Sequence, residues 1–136
     1  MYTAETQIRV RYAETDQMGY VYYGHYAMYY EVGRVEALRQ LGFSYRELEE
    51  MGIMMPVLDS KIRYLKPARY DELLTIKVII PVMPAVKMNF TYEITNKKGE
   101  LINQGETTLA FINMENGRRR RLPDVMKKIF EPWFSK

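Results

Sequence analysis

Cysteine is absent from the 136 residues, and histidine occurs once, at His25. The first absence excludes a disulfide framework, a thiolate nucleophile and any cysteine-ligated zinc or iron–sulfur centre, and it fits a reducing compartment. The second leaves no histidine cluster with metal-ligand spacing. Only three serines occur, Ser44, Ser60 and Ser135, none in a Gly-x-Ser-x-Gly or comparable nucleophile context, which argues against a serine triad. No glycine-rich nucleotide fingerprint occurs, so no cofactor is expected. Long apolar runs are also missing: the stretch Val78 to Met83 falls far short of the roughly 20 residues a spanning helix needs. Met1 to Gln7 carries an acid where a signal peptide has its basic region, and no apolar stretch follows. The expectation is a cytoplasmic protein with no membrane span.

What is present is globular in character: 47% hydrophobic, 13% aromatic and 27% charged residues. That profile is far from a disordered chain, and residues 1–136 suffice for one domain with one core. The net charge of +3 is local, because Arg118, Arg119, Arg120 and Arg121 are contiguous and the other bases do not outnumber the 17 acids. Such a run can meet phosphates, of a coenzyme or of a nucleic acid, or be a solvated loop. Without interleaved aromatics it offers only electrostatics, so no nucleic-acid partner is expected.

Residues 7 to 12 alternate, with Ile8, Val10 and Tyr12 on one face, and read as a half-buried strand. From His25 to Leu41 the spacing is helical: Tyr26, Tyr30, Gly33, Ala37 and Leu41 form a stripe, with Glu31, Arg34 and Arg39 away from it. Gly42 is placed for a left-handed cap, and Ser44 with Glu47 has capping-box spacing for a short helix to about Met51. Alternation then returns in 58–64, 74–80 and 86–94, and again from Leu101 to Met114, where Gly105 suits a bulge or bend. Pro123 opens a closing helix to Phe130. Strand, long helix, short helix and four strands in succession predict an α+β fold, an antiparallel sheet packed on one helix. Mid-helix, Gly33 costs about 1 kcal/mol relative to alanine. Close approach of the sheet accounts for it, as does an incidental glycine.

With histidine, cysteine and metal chemistry set aside, carboxylates remain. Asp16 lies in the loop between the first strand and the long helix, where its carboxylate and the free N–H groups of the helix start can face one small volume. A carboxylate can attack an ester or thioester carbonyl, or activate a water, while those N–H groups stabilise the charge developing on oxygen. The plainer reading is that Asp16 caps the turn through Gln17, Met18 and Gly19. His25 has two readings as well, a near-neutral hydrogen-bonding group at the helix start or a cap. The tyrosines around it, Tyr20, Tyr22, Tyr23, Tyr26, Tyr29 and Tyr30, supply core and subunit contacts, and their hydroxyls can line a pocket.

The segment Arg11-Tyr12-Ala13-Glu14-Thr15-Asp16-Gln17-Met18-Gly19-Tyr20-Val21-Tyr22-Tyr23-Gly24-His25-Tyr26, followed by Tyr30-Glu31-Val32-Gly33-Arg34-Val35-Glu36, resembles the signature of the 4-hydroxybenzoyl-CoA thioesterase family. Arg63 to Leu73 is similar to that family's second strand and turn. The resemblance runs nearly end to end. It implies a hotdog fold, a curved antiparallel sheet wrapped around the long helix over residues 1–136, with active sites at the interface of a homodimer or homotetramer. It implies an acyl-CoA or acyl carrier protein thioester as substrate, a non-catalytic acyl-CoA-binding protein being the alternative. Asp16 matches the catalytic aspartate and the Tyr23 N–H the group that polarises the thioester carbonyl. His25, Tyr22, Lys66 and Arg69 are candidate substrate-binding residues, the two bases and the Arg118–Arg121 run for the coenzyme phosphates. Tyrosine at 23 and histidine at 25 depart from the histidine and the asparagine or serine that many members carry there.

Overall fold

Apolar side chains at every second position build a sheet whose inner face wraps one helix. The computed structural model describes residues 1–135. Its elements are β1 (Tyr2–Arg9), α1 (Tyr26–Gln40), α2 (Tyr45–Glu50), β2 (Ile53–Met54), β3 (Val57–Tyr64), β4 (Leu73–Ile80), β5 (Lys87–Thr95), β6 (Leu101–Asn113), β7 (Arg119–Arg120) and α3 (Asp124–Phe134). The main sheet runs β1-β4-β5-β6-β3, antiparallel throughout, and the short β2 and β7 pair with the far end of β6. Leu74, Ile76, Val78 and Ile80 of β4 and Met88, Phe90, Tyr92 and Ile94 of β5 are buried, as are Tyr29, Tyr30, Ala37 and Leu38 of α1. Each of the Leu, Ile, Val, Met and Phe side chains among these stabilises the fold by roughly 1.5–3 kcal/mol through area removed from water. Tyr30 stacks on Tyr92 with ring centroids 4.1 Å apart, which fixes helix against sheet.

Gly33 answers to that packing. A Cβ there would stand 2.8 Å from Ile76 Cγ2 and 2.9 Å from Val78 Cγ2, so α1 approaches β4 as closely as it does because position 33 has no side chain. The caps form as expected. Gly42 takes φ +89° while Phe43 N–H reaches Leu38 O at 3.0 Å, closing a Schellman turn. The Ser44 hydroxyl accepts the Glu47 N–H at 3.2 Å.

Several expectations are corrected. The first strand lies earlier, from Tyr2 to Arg9, with Tyr2 and Ala4 on its buried face, and Tyr12 is exposed in a 3₁₀ turn, Tyr12–Glu14. Val10 is buried, and its N–H carries the β1–β4 register one step further, to Glu72 O at 2.9 Å. Gly105 makes no bulge: the register passes through it, opposite Ile62 and Tyr92, and the shifts fall at Val57/Asp59 and Ile94/Thr95. Its role is close approach, since a Cβ there would meet the Lys61 carbonyl oxygen and come within 2.5 Å of the Tyr30 hydroxyl. Arg34 faces inward. Burial opposes its charge, but the hydroxyls of Tyr45 and Tyr92 outweigh that and raise its pKa, Tyr45 accepting the Arg34 Nε–H at 3.0 Å. The last helix continues past Phe130 to Phe134. Among the described residues no helix is long and apolar enough to cross a membrane.

Candidate active site

The C-terminal end of β1, the N-terminal end of β4, the β5–β6 hairpin and the C-terminal end of β3 meet at one end of the sheet. The segment after β1 is fastened there. Glu14 is 2% exposed. Its Oε1 accepts the Tyr29 hydroxyl at 2.8 Å and the Arg11 N–H at 3.0 Å, and its Oε2 accepts Arg11 Nε and Nη2 at 2.8 and 2.6 Å. Burial opposes ionisation of this carboxyl, but the bonds from Arg11 and Tyr29 outweigh it and hold the pKa below the usual range. The Glu14 carbonyl takes the Tyr22 N–H at 2.9 Å, and Ala68 O takes the Val21 N–H at 2.8 Å.

Asp16 sits inside this brace. Its Oδ1 accepts the N–H groups of Met18 at 2.9 Å and Tyr20 at 3.3 Å, and its own N–H donates to Tyr20 O at 2.8 Å. Gly19 supplies the left-handed residue of the turn at φ +81°. The turn-cap reading of Asp16 is thus present in the geometry. It engages one carboxylate oxygen; Oδ2 accepts no hydrogen bond among the described residues.

The chain then forms a 3₁₀ turn, Tyr23–His25, that runs directly into α1. Tyr22 O takes the His25 N–H at 2.9 Å and Tyr23 O takes the Tyr26 N–H. The N–H groups of Tyr23 and Gly24, in the first two positions of the turn, therefore have no intrahelical acceptor, and they stand at the positive end of the helix.

A cavity of about 300 Å³ brings together Asp16, Tyr20, Tyr23, Tyr26, Tyr64 and Lys66, with Met18, Val21 and Leu65 as apolar wall. Of the residues singled out from sequence, Asp16, Tyr23 and Lys66 share it. Tyr22 and His25 are not in its lining. Tyr22 packs on the Tyr23 ring at 4.7 Å and edge-on to His25 at 5.9 Å. Arg69 lines the adjoining groove, its guanidinium 5.1 Å from the Tyr20 ring centre. The Lys66 ammonium pairs with Glu100. The Arg118–Arg121 run lies at the other end of β6, where β7 pairs with Phe111 and Ile112.

Sequence reasoning gave no site role to Tyr64 or Glu14, and to Tyr26 only the general expectation that its hydroxyl can line a pocket. The Tyr64 hydroxyl donates to Tyr23 O at 3.3 Å, and its ring stands edge-on to Tyr26 at 5.6 Å. Burial raises the pKa of Tyr26 to about 12, with Glu72 and Tyr64 adding to it, and burial followed by Tyr23 raises that of Tyr64. Both phenols are neutral donors at physiological pH. The available signal for Glu14 was its place three residues after Arg11 in the loop carrying Asp16.

A carboxylate with one free oxygen, unpaired N–H groups at a helix start and a small aromatic cavity, set on a helix wrapped by a curved antiparallel sheet, define a hotdog-fold hydrolase of the thioesterase class. The family model described as "Thioesterase-like superfamily" matches residues 10–130, and the chain belongs to that superfamily. YneP of Bacillus subtilis is 35% identical over 133 residues, 98% of this chain and 94% of its own. The acyl-CoA thioester hydrolase YbgC of Escherichia coli is 33% identical over 116 residues, 85% of this chain and 87% of its own. Among solved structures, the DHNA-CoA thioesterase of Staphylococcus aureus superposes with a TM-score of 0.91 at 37% identity, covering 98% of this chain and 89% of that one. The resemblance to the 4-hydroxybenzoyl-CoA thioesterase family and the α+β hotdog fold are borne out.

Proposed function

We propose that this thioester hydrolase cleaves acyl-CoA to free acid and CoA, with Asp16 as the reacting carboxylate and the Tyr23 N–H polarising the thioester carbonyl. The observation that carries the reading is the shared cavity: Asp16, whose Oδ2 accepts no hydrogen bond among the described residues, and Tyr23, the first residue of the Tyr23–His25 turn, line the same 300 Å³. Asp16 attacks the carbonyl carbon to give an anhydride that water then cleaves, or takes a proton from the water that attacks; in both routes CoA leaves as the thiolate. The oxyanion forms beside N–H groups that the fold already holds in place. The names of YbgC and of the Staphylococcus protein support a CoA thioester as substrate. An acyl carrier protein thioester is the second donor to test.

Asp16→Asn is the informative variant, because an amide oxygen keeps the bonds from Met18 and Tyr20 while the charge is lost. CoA release from a panel of aromatic, short and long acyl-CoAs should fall about 100-fold or more, with the melting temperature and acyl-CoA affinity retained. Equal turnover by wild type and variant sinks the assignment. Binding without CoA release by the wild type points to an acyl-CoA-binding protein instead.

The same reading expects two copies. β3 bonds to β6 on one side only, and its Val57, Leu58 and Tyr64 are exposed. An unpaired apolar edge of this kind is stable in solution when another strand covers it.

A further inference from the structure

We propose that Tyr64 is a positioning residue for the reaction: its hydroxyl holds and polarises the Tyr23–Gly24 peptide, whose N–H joins that of Tyr23 as a second donor to the oxyanion. The inference rests on the acyl-CoA reading above and adds to it the side chain that stands behind the donor. A carbonyl oxygen can only accept, so the 3.3 Å contact between Tyr64 and Tyr23 O has one sense, with the phenol donating. Tyr23 O already takes the Tyr26 N–H. It therefore carries two donors, whereas Tyr22 O carries one backbone donor, the His25 N–H at 2.9 Å. The carbonyl of Tyr23 and the N–H of Gly24 belong to one planar, conjugated unit. Electron density drawn to the oxygen leaves the N–H a stronger donor, the cooperative effect of chained hydrogen bonds. That N–H is one of the two without an intrahelical acceptor at the head of the turn, and Gly24 is exposed, with no side chain of its own to cover it.

Tyr64 is held to this aim. It ends β3 opposite Asn103 of β6, whose carboxamide oxygen accepts the buried Tyr30 hydroxyl. The N–H groups of the next two residues, Leu65 and Lys66, both reach Ile102 O, at 2.9 and 3.0 Å. The Tyr64 ring stands edge-on to those of Tyr26 and Tyr23, with centroids 5.6 and 6.2 Å away. Backbone pinned on one side and rings on two others set the direction of the hydroxyl, and the residue lines the cavity together with Asp16 and Tyr23. A side chain that only filled space here would need the ring and not the oxygen.

The test is Tyr64→Phe in the full chain, which keeps the ring and removes the donor. For acyl-CoA, kcat should fall about 10-fold, less than for loss of a whole oxyanion donor, with KM within about threefold of wild type. On the Asp16→Asn background, where acyl-CoA is expected to bind without turnover, the infrared band of an isotope-labelled thioester carbonyl should move to lower wavenumber on binding, and move less once Tyr64→Phe is added. In the free protein, Tyr64→Phe should shift the Gly24 amide nitrogen resonance upfield, as loss of a donor from the preceding carbonyl does. The amide readout needs no substrate, so it separates the two readings. A wild type that releases no CoA sinks the acyl-CoA reading and this role with it, whereas intact release with an unmoved Gly24 resonance overturns this proposal alone. An unchanged kcat overturns it too. So does a fall in kcat with the carbonyl band unmoved, which assigns the phenol to proton transfer on the substrate rather than to the peptide.

Discussion

Asp16 has room for two offices, one for each carboxylate oxygen. Oδ1 caps the turn, Oδ2 accepts no hydrogen bond among the described residues and the residue lines the cavity, so the two readings open at the level of sequence are not exclusive. Asp16→Ala, which removes the cap as well as the charge, should be about 1 kcal/mol less stable than Asp16→Asn in urea melts, although both lose CoA release. Glu14 was harder to read, because glutamates are seldom buried and its partners lie at 11 and 29, on separate turns. Glu14→Gln should cost about 1–2 kcal/mol at pH 7, at the low end of the range for charged hydrogen bonds because Arg11 is 70% exposed. The folded pKa lies below the unfolded one of about 4.3, so this stabilisation is full above about pH 5 and is lost as pH falls through the folded value. The stability difference between wild type and Glu14→Gln should therefore shrink between pH 5 and pH 3, and a difference that grows on acidification contradicts the assignment.

Elements were legible where period decides them. β4 and β5 bury alternate residues as the sequence predicts, and Gly42 and Ser44 punctuate the helices in their expected places. The ends of β1 were not, since its pairing with β4 from Tyr2↔Ile80 to Arg9↔Leu73 is set by a partner distant in sequence. Arg34 escaped for a similar reason: its phenolic partners come from Tyr45 and Tyr92, and helical spacing alone puts a charge outside. The two close-approach glycines give a graded test. Gly33→Ala gains about 1 kcal/mol of helix propensity but must displace Ile76 and Val78 methyls, a net loss of about 1–2 kcal/mol. Gly105→Ala meets the Lys61 backbone carbonyl, which cannot rotate away, and should lose more. Thermal melts that rank the two in the opposite order reject this account of the helix–sheet contact.

At the scale of the molecule, the two edges of the sheet differ. On β1 the last helix returns, Trp133 packing edge-on to Tyr2 at 5.0 Å, while β3 has no covering segment among the described residues. Leu58→Asp should convert a wild-type dimer to monomer in analytical ultracentrifugation and lower activity with it; a monomeric wild type removes the edge-pairing model. Antiparallel architecture was legible from the succession of strands, whereas which edge stays bare depends on where α3 lands, and no local pattern encodes that.

The Asp16 turn is tied to Ala68 and Arg69 through the Val21 N–H and the Tyr20–Arg69 bridge, and β1 just ahead of it pairs with β4. Some fifty residues of chain must close before the turn has its anchor. Refolding therefore has a built-in order in time. The β4–β5–β6 meander needs only neighbours, the loop with the carboxylate needs the finished sheet, and catalytic activity in a refolding jump returns with the slowest phase, never ahead of the far-ultraviolet signal.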